Sequence, residues 1–407
     1  MGILIYGGSF NPPHVGHVRA VEMAVKELSP ERVFLIPTAI PPHKEVADGT
    51  PEGTERLLMT QLAAREIPGA EVLDLELRRG GKSYTVDTLR ALREKYPGEE
   101  LIFLLGTDML LTFEQWREPE TILSLAAIAM FPRESHKGAA IREMGEYLQD
   151  RYGADIRFIP GEPLEISSTE LREALQNRQG ASMVPEKVYA HIIRRRLYGA
   201  KPDYAWLRRE AYRYLKPKRI PHVHGTEQEA VRLAKRWGES VDDAAEAAIC
   251  HDITKRLGLA DQLSLCRQYN IVADDYETTS EKLLHAKTGA AFAADLFGLS
   301  TDAEAAICWH TTGRAGMTAL QKILYLADYI EPGRAGFDGL EELRKAAYED
   351  LDLAMELGLR MSLDDVTARG YVPHGDTLEA HAWFMEMLRK KGLSPVQAVG
   401  VPDTLHL

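Results

Sequence analysis

The pattern of apolar residues changes about halfway along the chain, and this change limits the folds that the sequence can adopt. Up to about residue 198, short apolar runs alternate with amphipathic stretches in which apolar residues recur at helical spacing. Beyond it only the helical spacing remains. The alternation predicts an α/β domain with a doubly wound parallel sheet, and the remainder predicts an all-α domain. We therefore predict two domains, at residues 1–198 and 199–407.

The first half contains apolar runs that are typical of buried strands. They are ILIYGG, RVFLIPT, AEVLDLEL, LIFLLG and AAIAMF. Ligands of doubly wound sheets bind at the carboxyl ends of the strands, where GGSFNPPH and LLGTDM occur in this sequence. We therefore expect a binding site formed by these two segments.

Composition restricts the function further. A formal net charge of -12 argues against a general nucleic-acid binder, which needs basic surface to neutralise phosphates. The three cysteines are too few and too widely spaced for a disulfide framework or a CxxC zinc site. No apolar run is long enough to span a bilayer, so we expect no membrane partner and a cytoplasmic location. The sequence is compatible with either a monomer or a homo-oligomer.

The segment after the first strand, GGSFNPPHVGH, has the residues of a phosphate site. Its glycines allow the backbone to approach a phosphate, and the start of the following helix offers unpaired N–H groups. His14 and His17 are three residues apart, so both imidazoles could stabilise the charge of a phosphoryl-transfer transition state. Either feature alone is compatible with a tight turn or a solvated loop, but their combination is a narrower pattern.

A second segment, ISSTELR, begins another predicted helix. Ser167 and Glu170 fit an S-x-x-E capping box, so an ordinary helix cap explains both residues. The cap leaves Arg172 unexplained, and a guanidinium at this position could bind polyphosphate.

Together, GGSFNPPHVGH and ISSTELR resemble the two signature motifs of the nicotinate-nucleotide adenylyltransferase family, whose domain has a Rossmann-like nucleotidyltransferase fold. PPHK, SYTVDTL and GTDMLLTFEQW resemble further family segments in the same order. The resemblance implies transfer of the adenylyl group of ATP, with Mg²⁺, to nicotinate mononucleotide. Transition-state and polyphosphate contacts would come from His14, His17 and Arg172, with Lys44 as a weaker candidate.

The resemblance also implies residues for the two substrates. The ATP site would include Gly7, Ser9, Phe10, Gly106, Asp108, Ser167 and Ser168. Thr85 and Trp116 would hold the nicotinate ring and its carboxylate, although a tryptophan is equally compatible with the core.

Potential metal ligands recur along the helical half. They are His222, His251, Asp252, His285, His310 and Asp328. A single histidine on an apolar face is more often a structural residue, but six such positions in apolar surroundings indicate a site. Imidazole and carboxylate ligands suit a divalent metal, for which we expect iron, with manganese, magnesium or zinc as alternatives.

The order of these ligands resembles the HD-domain metal phosphohydrolases. HDITK, LLHAKTGA, WHTTGR and ILYLADYIEPGR resemble its YqeK-type branch, which is similar to symmetrical diadenosine tetraphosphate hydrolases. The resemblance implies one metal on His222, His251, Asp252 and Asp328, and a second metal or a phosphate on His285 and His310. His224 and Thr226 depart from the expected pattern, which makes His222 the least secure ligand.

Several residues near the predicted ligands are candidates for binding phosphate. Lys255 follows Asp252 by three residues, although a solvated lysine is an equal alternative. Thr311, Thr312, Arg314 and Arg334 are our candidates for contacts with a polyphosphate chain. Two alternatives stay open for this half: hydrolysis of another nucleotide phosphoester, and a nucleotide-sensing module that regulates the first half.

Overall fold

The computed structural model describes residues 2–42, 47–132, 138–162 and 165–393. The chain divides into two compact units, Met1–Asp203 and Tyr204–Leu407. Fully buried apolar side chains occur in both units, for example Leu104 in the first and Leu326 in the second.

The first unit contains a parallel six-stranded sheet in the order β3-β2-β1-β4-β5-β6. The strands are β1 Gly2–Gly8, β2 Arg32–Pro37, β3 Ala70–Val72, β4 Glu100–Gly106, β5 Ala127–Phe131 and β6 Ile156–Phe158. The strand order reverses beside β1, which pairs with both β2 and β4. Such a reversal opens a crevice at the carboxyl ends of the strands, where ligands of these sheets bind.

Nine α-helices accompany the sheet among the described residues of the first unit. They are α1 Val15–Leu28, α2 Gly53–Ala64, α3 Leu75–Arg79, α4 Thr85–Lys95, α5 Thr107–Leu110, α6 Pro119–Leu125, α7 Gly138–Tyr152, α8 Ser168–Gln176 and α9 Glu186–Arg195. Short 3₁₀ helices occupy Phe113–Gln115, Ala181–Met183 and Leu197–Gly199. The predicted α/β class is confirmed.

Two details of the strand prediction are wrong. The run AEVLDLEL is not one strand, because β3 ends at Val72 and Leu75–Arg79 forms a helix. Its alternating apolar residues also fit one short helical turn, which periodicity cannot distinguish from a strand over so few residues. The short strand β6 was not predicted; it has only three residues and pairs with one neighbour, β5.

The second unit is all-helical over its described residues, as predicted. Its helices are α10 Tyr204–Tyr212, α11 Ile220–Trp237, α12 Val241–Cys250, α13 Leu259–Tyr269, α14 Glu281–Phe297, α15 Thr301–Cys308, α16 Ala319–Ile330, α17 Leu340–Glu349, α18 Leu351–Ala368 and α19 Gly375–Lys390. Short 3₁₀ helices occupy Pro217–Arg219 and Glu277–Thr279. Gly238 and Gly298 end α11 and α14 with φ of 74° and 72°, a left-handed conformation that glycine adopts without strain.

The helix ends in the second unit place its polar residues. The continuous helix expected across DDAAEAAICHDITKRLG ends at Cys250, so His251 and Asp252 lie in the turn that follows α12. His310 likewise follows the end of α15, whereas His222 and Asp328 lie within α11 and α16. Turn backbone allows several side chains to point to one place, which a single helix face does not.

Over residues 2–42, 47–132, 138–162 and 165–393, no helix combines the length and the apolar character needed to cross a membrane.

Candidate active sites

A cavity of about 640 Å³ lies at the carboxyl ends of β1, β2 and β4 in the first unit. Many of the residues predicted from the sequence line it. They are Gly7, Ser9, His17, Thr85, Gly106, Trp116, Ser167, Ser168 and Arg172. The structure therefore brings residues from the two motifs, 160 positions apart, to one cavity of a size typical for small-molecule ligands.

Three predicted residues that the structure describes are not found in the cavity wall. Phe10 is fully buried, and its ring packs edge-on against His17 with centroids 5.1 Å apart. His14 is also buried, and Asp108 lies in the first turn of α5. Lys44 lies outside the described residues.

His14 and His17 form one unit at the start of α1. Their ring centroids are 3.6 Å apart, and the backbone N–H of His14 donates to Nδ1 of His17 at 3.1 Å. A nitrogen that accepts a hydrogen bond carries no proton, so the neutral His17 ring has its proton on Nε2. His17 is half-buried and lines the cavity, where an Nε2–H could donate to a phosphate oxygen.

Arg172 connects the second motif to the first. Its guanidinium donates to the carbonyl oxygen of Asn11 at 2.8 Å and to Oγ1 of Thr169 at 3.1 Å. The expected capping box is present, because Ser167 Oγ accepts from Glu170 N–H and the Glu170 carboxylate accepts from Ser167 N–H. Ser167 thus caps the N-terminus of α8 and also lines the cavity, so the two interpretations of this serine are compatible.

Arg56 is a cavity residue that was not predicted from the sequence. It is 5% exposed, and its guanidinium donates to the carbonyl oxygens of Ser9, Thr38 and Ala39 at 2.7 to 3.1 Å. It therefore joins the loop after β1 to the loop after β2. Burial lowers the pKa of Arg56, but a guanidinium keeps its proton in proteins. Its position in an ordinary amphipathic helix gave no sign of this role.

Glu76 is a second cavity residue that the sequence did not single out. It is 4% exposed and accepts a hydrogen bond from Thr88 Oγ1 at 2.6 Å. Burial raises its pKa, against the hydrogen bonds from Thr88 and Ser83 and the charge of Arg79. Ser83 also accepts from the backbone N–H of Ala39 at 2.9 Å. Glu76 thus anchors the segment that leads into Thr85.

Thr85 and Trp116, which the resemblance implies for the nicotinate ring and its carboxylate, both line the cavity. Thr85 is the first residue of α4, so backbone N–H groups with no partner inside the helix are close to it. The half-buried ring of Trp116 packs on Phe113, with centroids 5.2 Å apart. The guanidinium of Arg117 lies over the ring of Tyr84 at 4.7 Å, and both residues line the cavity.

All six predicted metal ligands of the second unit come together in one place, which we call the metal-ligand cluster. Two of the imidazoles lie close to carboxylates: His222 Nε2 is 2.8 Å from Asp328 Oδ1, and His285 Nε2 is 3.3 Å from Asp252 Oδ1. His251 Nε2 lies 3.5 Å from Asp252 and 3.8 Å from Asp328. His310 Nε2 lies 3.2 Å from His285 Nε2. Residues from five helices or the turns after them supply these atoms.

Three of the four histidines in the cluster are oriented in the same way. Nδ1 of His251, His285 and His310 each donates at 2.7 Å to the backbone carbonyl three residues earlier, on Ala248, Lys282 and Ile307. The hydrogen bond fixes the proton on Nδ1 and directs Nε2 into the cluster. Metal-ligating histidines are commonly held by such an outer hydrogen bond.

The donor atoms of the cluster fit a divalent metal ion. Within the described residues, Nε2 of His222 and Nε2 of His251 are buried without a hydrogen-bond partner, although carboxylate oxygens lie 2.8 to 3.8 Å away. Two acceptors that face each other require a cation between them, either a proton or a metal ion. The set of imidazole and carboxylate donors suits iron, manganese, zinc or magnesium.

The charges of the cluster depend on one another. Burial alone would raise the pKa of Asp252 and Asp328, but the neighbouring histidines hold both carboxyl pKa values well below their ordinary value. Burial lowers the pKa of His310 to about 3, with the nearby His285 and His251 contributing. His310 is therefore neutral, which is the form that binds a metal.

Two cationic side chains contact the cluster, and two further candidates for phosphate contacts lie over aromatic rings. Lys255 Nζ lies 3.0 Å from Asp252 Oδ1, and Arg219, which was not predicted from the sequence, donates to Asp252 Oδ2. Arg314 is exposed over the ring of Trp309, and Arg334 lies over the ring of Tyr329.

Three threonines and a histidine near the cluster differ in their contacts. Thr311 Oγ1 is buried with no partner among the described residues, whereas Thr312 donates to the Gly313 carbonyl. His224 is half-exposed and pairs with Gln228, so it does not enter the cluster. Thr226 is buried and donates to the His222 carbonyl.

Comparison with known proteins identifies relatives of the first unit. Residues 5–174 match the cytidylyltransferase-like family model. The chain is 35% identical over 212 residues to a "Probable nicotinate-nucleotide adenylyltransferase" of Trichlorobacter lovleyi, covering 49% of this chain and 99% of that protein. The chain belongs to the nicotinate-nucleotide adenylyltransferase family. A relative of the same description from Aquifex aeolicus is 40% identical over 168 residues, covering 41% of this chain and 99% of its own length.

This adenylyltransferase-family chain also contains an HD domain: residues 219–333 match the family model of that name. That range includes all six members of the metal-ligand cluster. A crystal structure described as a "predicted HD superfamily hydrolase involved in NAD metabolism" from Clostridium acetobutylicum is 34% identical. It covers 46% of this chain and 100% of its own, with a TM-score of 0.44.

Proposed function

We propose that the chain is a bifunctional nucleotide enzyme. The first unit transfers the adenylyl group of ATP to nicotinate mononucleotide, which gives nicotinate adenine dinucleotide and pyrophosphate. The second unit hydrolyses diadenosine tetraphosphate to two molecules of ADP at a metal centre. The convergence of His17 and Arg172 on one cavity carries the first proposal, and the six-residue cluster carries the second.

The first reaction requires positioning and charge stabilisation rather than a protein nucleophile. An oxygen of the mononucleotide phosphate forms a bond to the α-phosphorus of MgATP, and the bond from that phosphorus to the pyrophosphate oxygen breaks. The leaving pyrophosphate takes the electron pair of the broken bond. Catalysis of such a transfer comes mainly from donors arranged around the phosphates.

His17 and Arg172 are suited to supply those donors. The hydrogen bond from His14 N–H to His17 Nδ1 leaves Nε2–H to donate, and Arg172 is held between the two motifs by Asn11 and Thr169. Because both residues are fixed before a ligand arrives, little reorganisation is needed in the transition state. Arg56 acts behind them by holding the loops after β1 and β2 together.

The nicotinate ring would lie at the end of the cavity formed by Thr85 and Trp116. The indole offers an apolar face, and the start of α4 offers N–H groups for a carboxylate. This arrangement supports the acid mononucleotide as the substrate. The test is to compare nicotinate and nicotinamide mononucleotides at equal ATP by measuring pyrophosphate release. A higher kcat/KM with the amide would contradict the proposal.

The metal of the second unit would be held by His222, His251, Asp252 and Asp328, with His285 and His310 holding a second ion or a phosphate. A divalent ion at such a site lowers the pKa of water and stabilises charge on phosphate oxygens. The surrounding protein would bind the substrate: Lys255 and Arg219 beside Asp252, with Thr311, Arg314 and Arg334 toward the polyphosphate chain. The cations offset the charge of an anionic substrate near the buried carboxylate of Asp252.

The experiment for the second unit is incubation of metal-loaded protein with diadenosine tetraphosphate, followed by chromatography of the products. ADP as the sole product in wild type, and its absence with Asp252→Ala, would support symmetrical metal-dependent cleavage. Cleavage of a different phosphoester would replace the substrate but keep the hydrolase. Binding without turnover for any of iron, manganese, magnesium or zinc would instead support the sensing alternative.

A further inference from the structure

His222 is oriented differently from the other three histidines of the metal-ligand cluster. His251, His285 and His310 each donate from Nδ1 to a backbone carbonyl of their own segment. Nδ1 of His222 instead faces Oε1 of Glu331 at 3.3 Å, across 109 positions of sequence. His222 therefore has a charged partner from a distant part of the unit.

Glu331 makes this contact from a buried position. It is 3% exposed, and it directly follows α16, which carries the proposed ligand Asp328. Its second oxygen, Oε2, accepts from the backbone N–H of Gly333 at 2.5 Å. Each carboxylate oxygen thus has a defined partner, which a buried charge requires.

Gly225 provides the space for this carboxylate. It lies on α11 three residues after His222, in the interior of a helix, where glycine is normally unfavourable. A Cβ at this position would lie 2.5 Å from Oε2 and 3.3 Å from Cδ of Glu331. No side chain larger than hydrogen fits there while Glu331 remains in place.

We infer that Glu331 is a positioning residue for the proposed metal centre, acting through His222. A carboxylate only accepts hydrogen bonds, so Glu331 keeps the His222 proton on Nδ1 and leaves the lone pair of Nε2 directed into the cluster. Its negative charge also makes the imidazole a stronger ligand. The inference rests on the proposed metal centre, and its experiment separates the two.

A purely structural role for Glu331 would predict something different. Glu331 also shapes the turn that leads to Arg334, whose N–H donates to the Glu331 carbonyl at 3.0 Å. If only this turn mattered, substitutions would change stability and leave metal affinity unchanged. Metal affinity in protein of equal folded content therefore distinguishes the two roles.

The experiment is titration of the full chain with Mn²⁺, with free ion measured by its electron paramagnetic resonance signal. We expect Glu331→Ala to weaken Mn²⁺ binding about 10- to 100-fold, the usual effect of removing an outer partner of a metal-ligating histidine. Glu331→Gln keeps the size and an acceptor but loses the charge, so its loss should be smaller. Gly225→Ala, which removes no ligand and no charge, should also weaken binding because it displaces Glu331.

The matched control is Glu356→Gln. Glu356 is likewise fully buried, and its Oε1 lies 3.4 Å from His381 Nε2, on helices that carry none of the proposed ligands. The Glu356→Gln protein should bind Mn²⁺ with the affinity of wild type. Unchanged affinity in Glu331→Ala and Gly225→Ala, with wild type binding normally, would overturn the role of Glu331 alone. So would an equal loss in the control. Failure of wild type to bind Mn²⁺, and to bind iron, magnesium or zinc in parallel titrations, would overturn the metal centre itself.

Discussion

The two candidate active sites are built in opposite ways. The site of the first unit lies where strands end and helices begin, and most of its predicted residues are half-buried or exposed around a cavity. The cluster of the second unit lies among helices, with the side chains of Asp252 and His251 at 0% exposure and His285 at 1%. The first site is thus open to a ligand through its cavity. The second brings buried carboxylate and imidazole groups together, a donor set that could hold a metal ion.

This difference determines how each site should respond to mutation. In the first unit, backbone groups and several side chains surround the cavity together. A single substitution should therefore lower activity only in part. In the second unit, each buried charge is compensated by its neighbours, so loss of one member leaves others unpaired. Substitutions, metal removal and pH should therefore affect the two units differently.

The largest effects should separate the two activities completely. His17→Ala should lower nicotinate adenine dinucleotide formation by about 10²- to 10³-fold, the usual cost of removing one transition-state donor. Hydrolysis of diadenosine tetraphosphate by the same preparation should be unchanged. Asp252→Ala should show the reverse. If either variant lost both activities while remaining folded, the two sites would not be independent.

Removal of Arg56 should mainly reduce the stability of the first unit. Arg56→Met leaves three carbonyl acceptors without their donor, and we expect a loss of about 3 kcal/mol in its free energy of unfolding. Arg90→Met is the control, because Arg90 is exposed and pairs only at the surface, where changes are within about 0.5 kcal/mol. The stability of each variant is measured by hydrogen exchange of peptides from β1 and β2. Equal protection in the two variants would contradict the bridging role.

Metal removal should act on the second unit alone. A metal that binds only the folded state stabilises it by about 2.7 kcal/mol at 100 times its Kd, so chelation should lower the transition of the second unit in calorimetry. The first unit should unfold at the same temperature with and without chelator. A shift of both transitions would indicate that the metal also supports the first unit.

The smallest effect should be a pH dependence at Glu76. Burial raises its pKa in the folded state, so the cost of burying its charge is absent below the ordinary value of 4.5 and complete above the raised value. Glu76→Gln has no such charge. Its stability relative to wild type should therefore increase as pH rises through this window and then remain constant, as measured by hydrogen exchange of α4 peptides. A constant difference at all pH values would show that Glu76 does not titrate there.

Local sequence determined much of this protein. The change from alternating to helical periodicity predicts both fold classes, and the motifs alone predict His17, Arg172 and the six residues of the metal-ligand cluster. The fold-class prediction is confirmed because strand–loop–helix segments and apolar helices are local signals. The roles of the site residues stay predictions, although a histidine or aspartate that interrupts an apolar helix is equally a local signal. The run AEVLDLEL shows their limit, since a few residues fit both a strand and a helical turn.

Only the tertiary structure decided which partners complete the sites. Arg56 reaches the Ser9 carbonyl across 47 positions, and Glu331 reaches His222 across 109. Neither residue stands in a pattern that distinguishes it from a surface arginine or a glutamate at a helix end. Their roles come from burial beside a particular polar group, where a charge must find a partner. That requirement depends on which elements pack together, and periodicity and motif spacing do not encode it.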